Sequence, residues 1–136
     1  MIACDRGAGG IARDGEFADA PVWPITCAGN LHTSVIELLI RAGVGGVLVV
    51  SCPPRDCWNR EGPKWLEQRV YHDREAELQP RVDRRRVRLA HAGVAERAVV
   101  ADALRRLREE VARLGVTARE GDADLLRECE TEEAAR

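Results

Sequence analysis

Aromatic side chains are scarce in this chain: three Trp, one Tyr and one Phe make up 4% of its 136 residues. A core must therefore be built mostly from Val, Leu, Ile and Ala, in a length that suits one domain rather than two. No apolar run approaches the ~18 residues of a membrane span, and the first residues lack the basic and apolar regions of a signal peptide. A cytoplasmic address with no membrane span is the expectation. Formal net charge is only −2, so there is no bulk attraction to nucleic acid or anionic lipid. The chain also lacks a phosphate-binding glycine loop, a nucleophile with its base, and an acid pair. Independent catalysis is not expected.

The charge that is present is uneven. Between residues 117 and 136, Arg119, Arg127 and Arg136 are outnumbered by seven Asp and Glu. The expectation is a domain over 1–116 followed by an acidic, solvated C-terminal tail over 117–136, with at most a helical turn at Leu125 and Leu126.

Cysteine is better represented, with five. An odd count in a reducing compartment argues against a disulfide framework and for metal or redox chemistry wherever thiols cluster. Their context is set by Gly43–Trp58, GVGGVLVVSCPPRDCW. Val47 to Val50 form a short apolar run that reads as a strand covered on both faces. Pro53 and Pro54 forbid its continuation. Cys52 thus marks the strand end, and Cys57 follows at C-x4-C spacing in the next loop.

The rest of the chain supplies similar units. MIAC reads as an edge strand ending at Cys4, and VWPITC as a strand ending at Cys27, with Pro24 placing it at an edge. Residues 11–21 read as a polar connection. Ser34 and Glu37 have capping-box spacing. Val35, Leu38, Leu39 and Ala42 then recur at helical period, widened by Ile36 and Ile40, until Gly43. A second helix is expected over Lys64–Gln79, a strand over Val87–His91, and a third helix over Arg97–Leu114 on the repeat Val100, Leu104, Leu107, Val111, Leu114. This order predicts an α/β fold, a small three-layer sandwich with a mostly parallel sheet, cysteines at the carboxyl ends of the strands, and right-handed crossovers.

Parallel strands end on one edge, so Cys4, Cys27 and Cys52 converge there, with Cys57 in the loop above. Four thiols are the ligand count of a [2Fe–2S] cluster or of a tetrahedral zinc site. Buried structural thiols are the bland alternative. Cys129, in the acidic tail, reads as a bystander. His32 is a substitute fourth donor; His72 and His91 have no ligand spacing. Arg6, Arg55 and Arg60 are the cations nearest the rim, and Gly29 and Gly62 read as turn residues. Trp23, Trp58 and Trp65 are expected to pack inward, and the arginines around residue 85 to form a solvated turn.

The run TCAGNLH…LLIRAGVGGVLVVSCPPRDCW…G..W…RV resembles the family of iron–sulfur subunits named for the delta subunit of methyl-viologen-reducing hydrogenase. The resemblance lies in the Cys-Ala-Gly turn, the glycine-rich strand start, the loop with two cysteines and the Arg-Val on the next helix. It implies a [2Fe–2S] cluster on Cys4, Cys27, Cys52 and Cys57. It also implies electron relay between a hydrogenase, formate dehydrogenase or other oxidoreductase module and a heterodisulfide-reductase-A-like flavoprotein, with any flavin held by that partner. Ser51, Arg55 and Trp58 depart from the family pattern, where Gly, Gly and His are usual. A zinc-stabilised module, a thiol enzyme using Cys52 or Cys57, and a cluster-free adaptor subunit are the rival readings.

Overall fold

The computed structural model describes residues 1–8, 17, 20–72 and 77–115. Four short strands, β1 (Ile2–Cys4), β2 (Trp23–Ile25), β3 (Val47–Ser51) and β4 (Val87–His91), form one sheet in the order β2-β1-β3-β4. All three pairings are parallel. Alternate side chains of β3 leave on opposite faces. Val47 and Val49 join an apolar cluster with Ile36, Leu39, Leu66 and Val70. Leu48 and Val50 join a second cluster with Val100, Leu104 and Leu107. Helices α1 (Thr33–Arg41) and α2 (Gly62–Tyr71) therefore cover one face and α3 (Arg97–Leu114) the other. The three-layer α/β sandwich expected from the sequence is what forms.

The chain reverses direction within this sheet. From β1 it steps outward to β2, then jumps back across β1 to β3. Phe17, in the first connection, packs with α3, whereas α1, in the second, packs on the opposite face. Connections of one hand that travel in opposite directions must take opposite faces. Such a reversal opens a crevice beyond the carboxyl ends of the two strands that flank it, here β1 and β3.

Four expectations need correction. β1 is not an edge element: Ile2 and Ala3 pair with Trp23 and Pro24 on one side and with Val49 and Val50 on the other. Its three residues are all buried, because small Ala3 and Cys4 side chains let both helical layers close over it. The edge belongs to β2, where exposed Pro24 needs no ladder partner.

The capping box does not form. His32 is the N-cap, its Nδ1 accepting from the Ser34 backbone N–H at 3.2 Å. Glu37 turns inward instead and accepts from the Gln79 N–H at 3.0 Å and from Arg81 at 2.8 Å. This rotation buries Ile36, Leu39 and Ile40 and leaves Val35 and Leu38 exposed.

The second helix is shorter than its pattern. It starts at Gly62 and ends at Tyr71. Residues 73–76 lie outside the described residues. Leu78 beyond them is fully buried, and its N–H bonds the Arg69 carbonyl at 3.0 Å. Thr33 Oγ1 donates to the Glu77 carbonyl, so 77–79 is held against α1 rather than extending α2.

The arginine turn is not wholly solvated either. Arg86 is buried and donates to the Gly45 carbonyl at 2.8 Å and the Gly115 carbonyl at 2.7 Å, tying the end of α3 to the entry of β3. Gly115, with φ 72°, ends α3 where the sequence placed the stop. Of the expected polar connection over 11–21, residues 11–16, 18 and 19 lie outside the described residues, and Phe17 within it is buried rather than polar surface. The acidic tail over 117–136 and Cys129 also lie outside the described residues.

Candidate functional site

Each cysteine of the rim is set by where its strand stops. Cys4 is the last residue of β1, and Cys52 follows β3, where Pro53 and Pro54 end the ladder. Cys27 precedes the short 3-10 turn Ala28–Asn30 after β2. Cys57 lies in the loop between β3 and α2, after a turn closed by the Asp56 N–H on the Pro53 carbonyl at 2.9 Å. Cys4, Cys27 and Cys52 are buried and Cys57 is half-buried.

The thiols gather around two points. Cys4 and Cys52 flank the β1/β3 crevice with their sulfurs 3.4 Å apart. Cys27 and Cys57 meet at Gly62, where an added Cβ would lie 2.8 Å from the Cys27 Sγ and 3.3 Å from the Cys57 Sγ. Electrostatics links the pairs. Burial pushes the Cys52 thiol up to about 12, reinforced by the hydrogen bond and charge of Cys4 and by the charges of Cys57 and Cys27. An ionised thiolate in this company needs a compensating positive charge, which a metal centre supplies. Among the described residues, no three His, Cys, Asp or Glu side chains already surround one metal-sized point.

Glycines shape the rim by what they omit. Gly29 lies in the 3-10 turn as expected and Gly62 opens α2, but neither has the positive φ for which a turn needs glycine. A Cβ on Gly29 would fall 2.5 Å from the Gly62 Cα, so their value is contact between two backbones, which brings the Cys27 turn against the start of α2. Arg69, about two turns further along α2, fastens the contact by donating to the Gly29 carbonyl. Its Nε is buried with no hydrogen-bond partner among the described residues. Gly7 plays the same part for Cys52, since a Cβ there would stand 3.2 Å from the Cys52 Sγ.

Other residues fall differently from their sequence reading. Trp23, Trp58 and Trp65 are not core: they are 46%, 73% and 40% exposed. Trp58 carries the Arg6 guanidinium 4.6 Å from its ring centroid. His32 caps α1. His91, without ligand spacing, nonetheless reaches the rim's edge, its Nδ1 2.7 Å from the buried Ser51 hydroxyl beside Cys52. Parallel pairing of Ser51 with His91 creates that contact, and only strand register could have foretold it. A groove of about 410 Å³ opens at the amino ends of the strands between Met1, Leu48, Leu107 and Val111, and no cysteine lines it.

A model of the family described as methyl-viologen-reducing hydrogenase, delta subunit, matches residues 11–115. The chain belongs to that family. No curated protein matches it. The hydrogenase delta subunit family is one of electron-transfer subunits of redox complexes, so partner subunits are implied. Among the described residues, no helix of this delta subunit homologue is long and apolar enough to cross a membrane. The matched span holds Cys27, Cys52 and Cys57 and begins after Cys4. Cys4 joins them through the pairing of β1 with β3.

Proposed function

We propose that the protein is an electron-transfer subunit that holds a [2Fe–2S] cluster on Cys4, Cys27, Cys52 and Cys57. The reading is carried by the gathering of the four thiols on one rim, Cys4 and Cys52 with their sulfurs in contact and Cys27 and Cys57 both beside Gly62. A dinuclear cluster takes two cysteines on each iron, so it calls for two pairs rather than convergence of all donors on one point. A 3.4 Å sulfur separation is close to the edge of a metal–thiolate tetrahedron with bonds of about 2.3 Å. A single zinc ion would call for the convergence that the described residues do not show. The glycines around the sulfurs leave room that side chains would fill.

When bound there, the cluster would supply one-electron chemistry without proton transfer at a substrate. The protein's own part is to hold the thiols and exclude water. Prolines end β3 so that Cys52 does not pair onward. The Gly29/Gly62 contact sets the second pair, and the helical layers bury three of the four sulfurs. Low exposure and backbone N–H groups around sulfur tune the potential.

In this reading the chain relays electrons between a hydrogenase, formate dehydrogenase or similar module and a heterodisulfide-reductase-A-like flavoprotein, with any flavin on the partner. The test is anaerobic purification followed by iron and acid-labile sulfide analysis and EPR. A brown protein with equal iron and sulfide and a signal on dithionite reduction supports the proposal. A colourless protein with stoichiometric zinc overturns it. A colourless, metal-free protein that still joins its complex would make it an adaptor, the second reading, which the departure at Arg55 favours.

A further inference from the structure

Of the four rim thiols, Cys57 alone is not buried. Electron transfer falls off steeply with distance, so a partner must approach from the Cys57 side. What stands there is an aromatic and cationic surface. Trp58 is 73% exposed, yet it is held in place by Arg6, which crosses from the loop after β1 to lie over its ring. An exposed indole that is already ordered is what interfaces use as an anchor, because little side-chain entropy remains to be lost.

The charges around it are mixed but lean one way. Arg55 and Arg60 are exposed and make no ion pair among the described residues, and the Arg60 N–H bonds the Cys57 carbonyl at 2.9 Å. Lys64 is engaged with Glu61 at 3.3 Å. Asp5 and Asp56, also exposed, are the acids next to Arg6 and Arg55 in the chain.

We propose that this Arg6–Trp58 surface over Cys57 is the docking face for electron exchange, and that its partner presents an acidic surface around the next redox centre. The inference rests on the cluster reading above. One electron passes between the two centres, with no bond made or broken and no proton moved. Complementary charge steers such encounters and makes them sensitive to salt.

The experiment uses the purified protein with its cluster, reduced by dithionite and freed of excess reductant. It is mixed in a stopped-flow instrument with tris(oxalato)cobaltate(III), an anion, or hexaamminecobalt(III), a cation, each reduced to cobalt(II) as the protein loses one electron. The anionic oxidant should react faster at low salt, and added salt should slow it. The double variant Arg55→Glu/Arg60→Glu should lose about tenfold with the anion and gain with the cation. The same charge change at Arg85 and Arg88, towards the opposite end of the sheet, should alter neither rate. Arg6→Glu is the second variant should the double variant lose its colour. Equal rates for the two oxidants, or equal effects of near and far charge reversal with the visible spectrum intact, overturn the docking face alone. A colourless wild-type protein overturns the cluster reading and this proposal with it.

Discussion

The backbones of Gly29 and Gly62 touch, a Cβ on the first falling 2.5 Å from the Cα of the second. Through that contact the loop after β2 and the start of α2 bring Cys27 and Cys57 to one place. Gly62→Ala should therefore act on both stability and metal content. Overpacking of this kind costs about 1–3 kcal/mol, measurable as a lower urea midpoint, and iron per chain should fall with it. A variant with full iron and an unchanged midpoint would show that the contact is not what sets the pair.

Replacement of any one of Cys4, Cys27, Cys52 and Cys57 by Ser should remove most of the iron and the visible spectrum. Cys129→Ser should keep both. The informative member is Cys4, which precedes the span that matches the family. A brown Cys4→Ser protein would mean that the fourth donor lies elsewhere.

The Cys52 thiol is pushed from its ordinary 9.0 to about 12, chiefly by burial. The folded, metal-free protein therefore holds this proton more tightly than the unfolded chain does. The resulting stability is present in full below pH 9 and is lost as pH rises towards 12. The urea midpoint of the metal-free protein should fall across that interval, and Cys52→Ser should flatten the fall. At neutral pH, iodoacetamide should label Cys57 before Cys52. The reverse order would contradict the burial argument.

Arg86 donates to the carbonyls of Gly45 and Gly115 from a buried position. Arg86→Ala should cost about 2 kcal/mol, because hydrogen bonds from a charged group to the carbonyls of half-buried Gly45 and exposed Gly115 are lost. Arg86→Lys should recover little, since a point charge cannot span two acceptors as the planar fork does. Chemical denaturation of the three proteins checks this.

What could be read from the sequence was what depends on neighbours in the chain. The third helix, Arg97–Leu114, has the bounds its repeat predicts, and Val100, Leu104 and Leu107 are buried as expected, together with Ala103, while Val111 and Leu114 are half-buried. The central strand showed itself as an unbroken apolar run. That cysteines sit near the carboxyl ends of the strands followed from parallel pairing. What escaped was set by distant contacts. Glu37 left its local cap for Gln79 and Arg81, more than forty residues away, and so turned Val35 and Leu38 outward. β1 looked marginal because three residues carry little pattern, although β3 and β2 on either side make it interior. The tryptophans followed the general preference for burial only until the structure placed Trp58 at the mouth of the site.

The reversal of chain direction between β2 and β3 bears on biogenesis. Cys4 leaves the ribosome long before Cys52, and its neighbour on the sheet cannot arrive until the strand at Val47–Ser51 has been made and has slid in beside β1. Cys27 finds Cys57 only after Gly62 has opened the next helix. No nascent fragment shorter than about half the chain can present the full set of sulfurs, so the cluster proposed above would be loaded only when this half of the domain has folded.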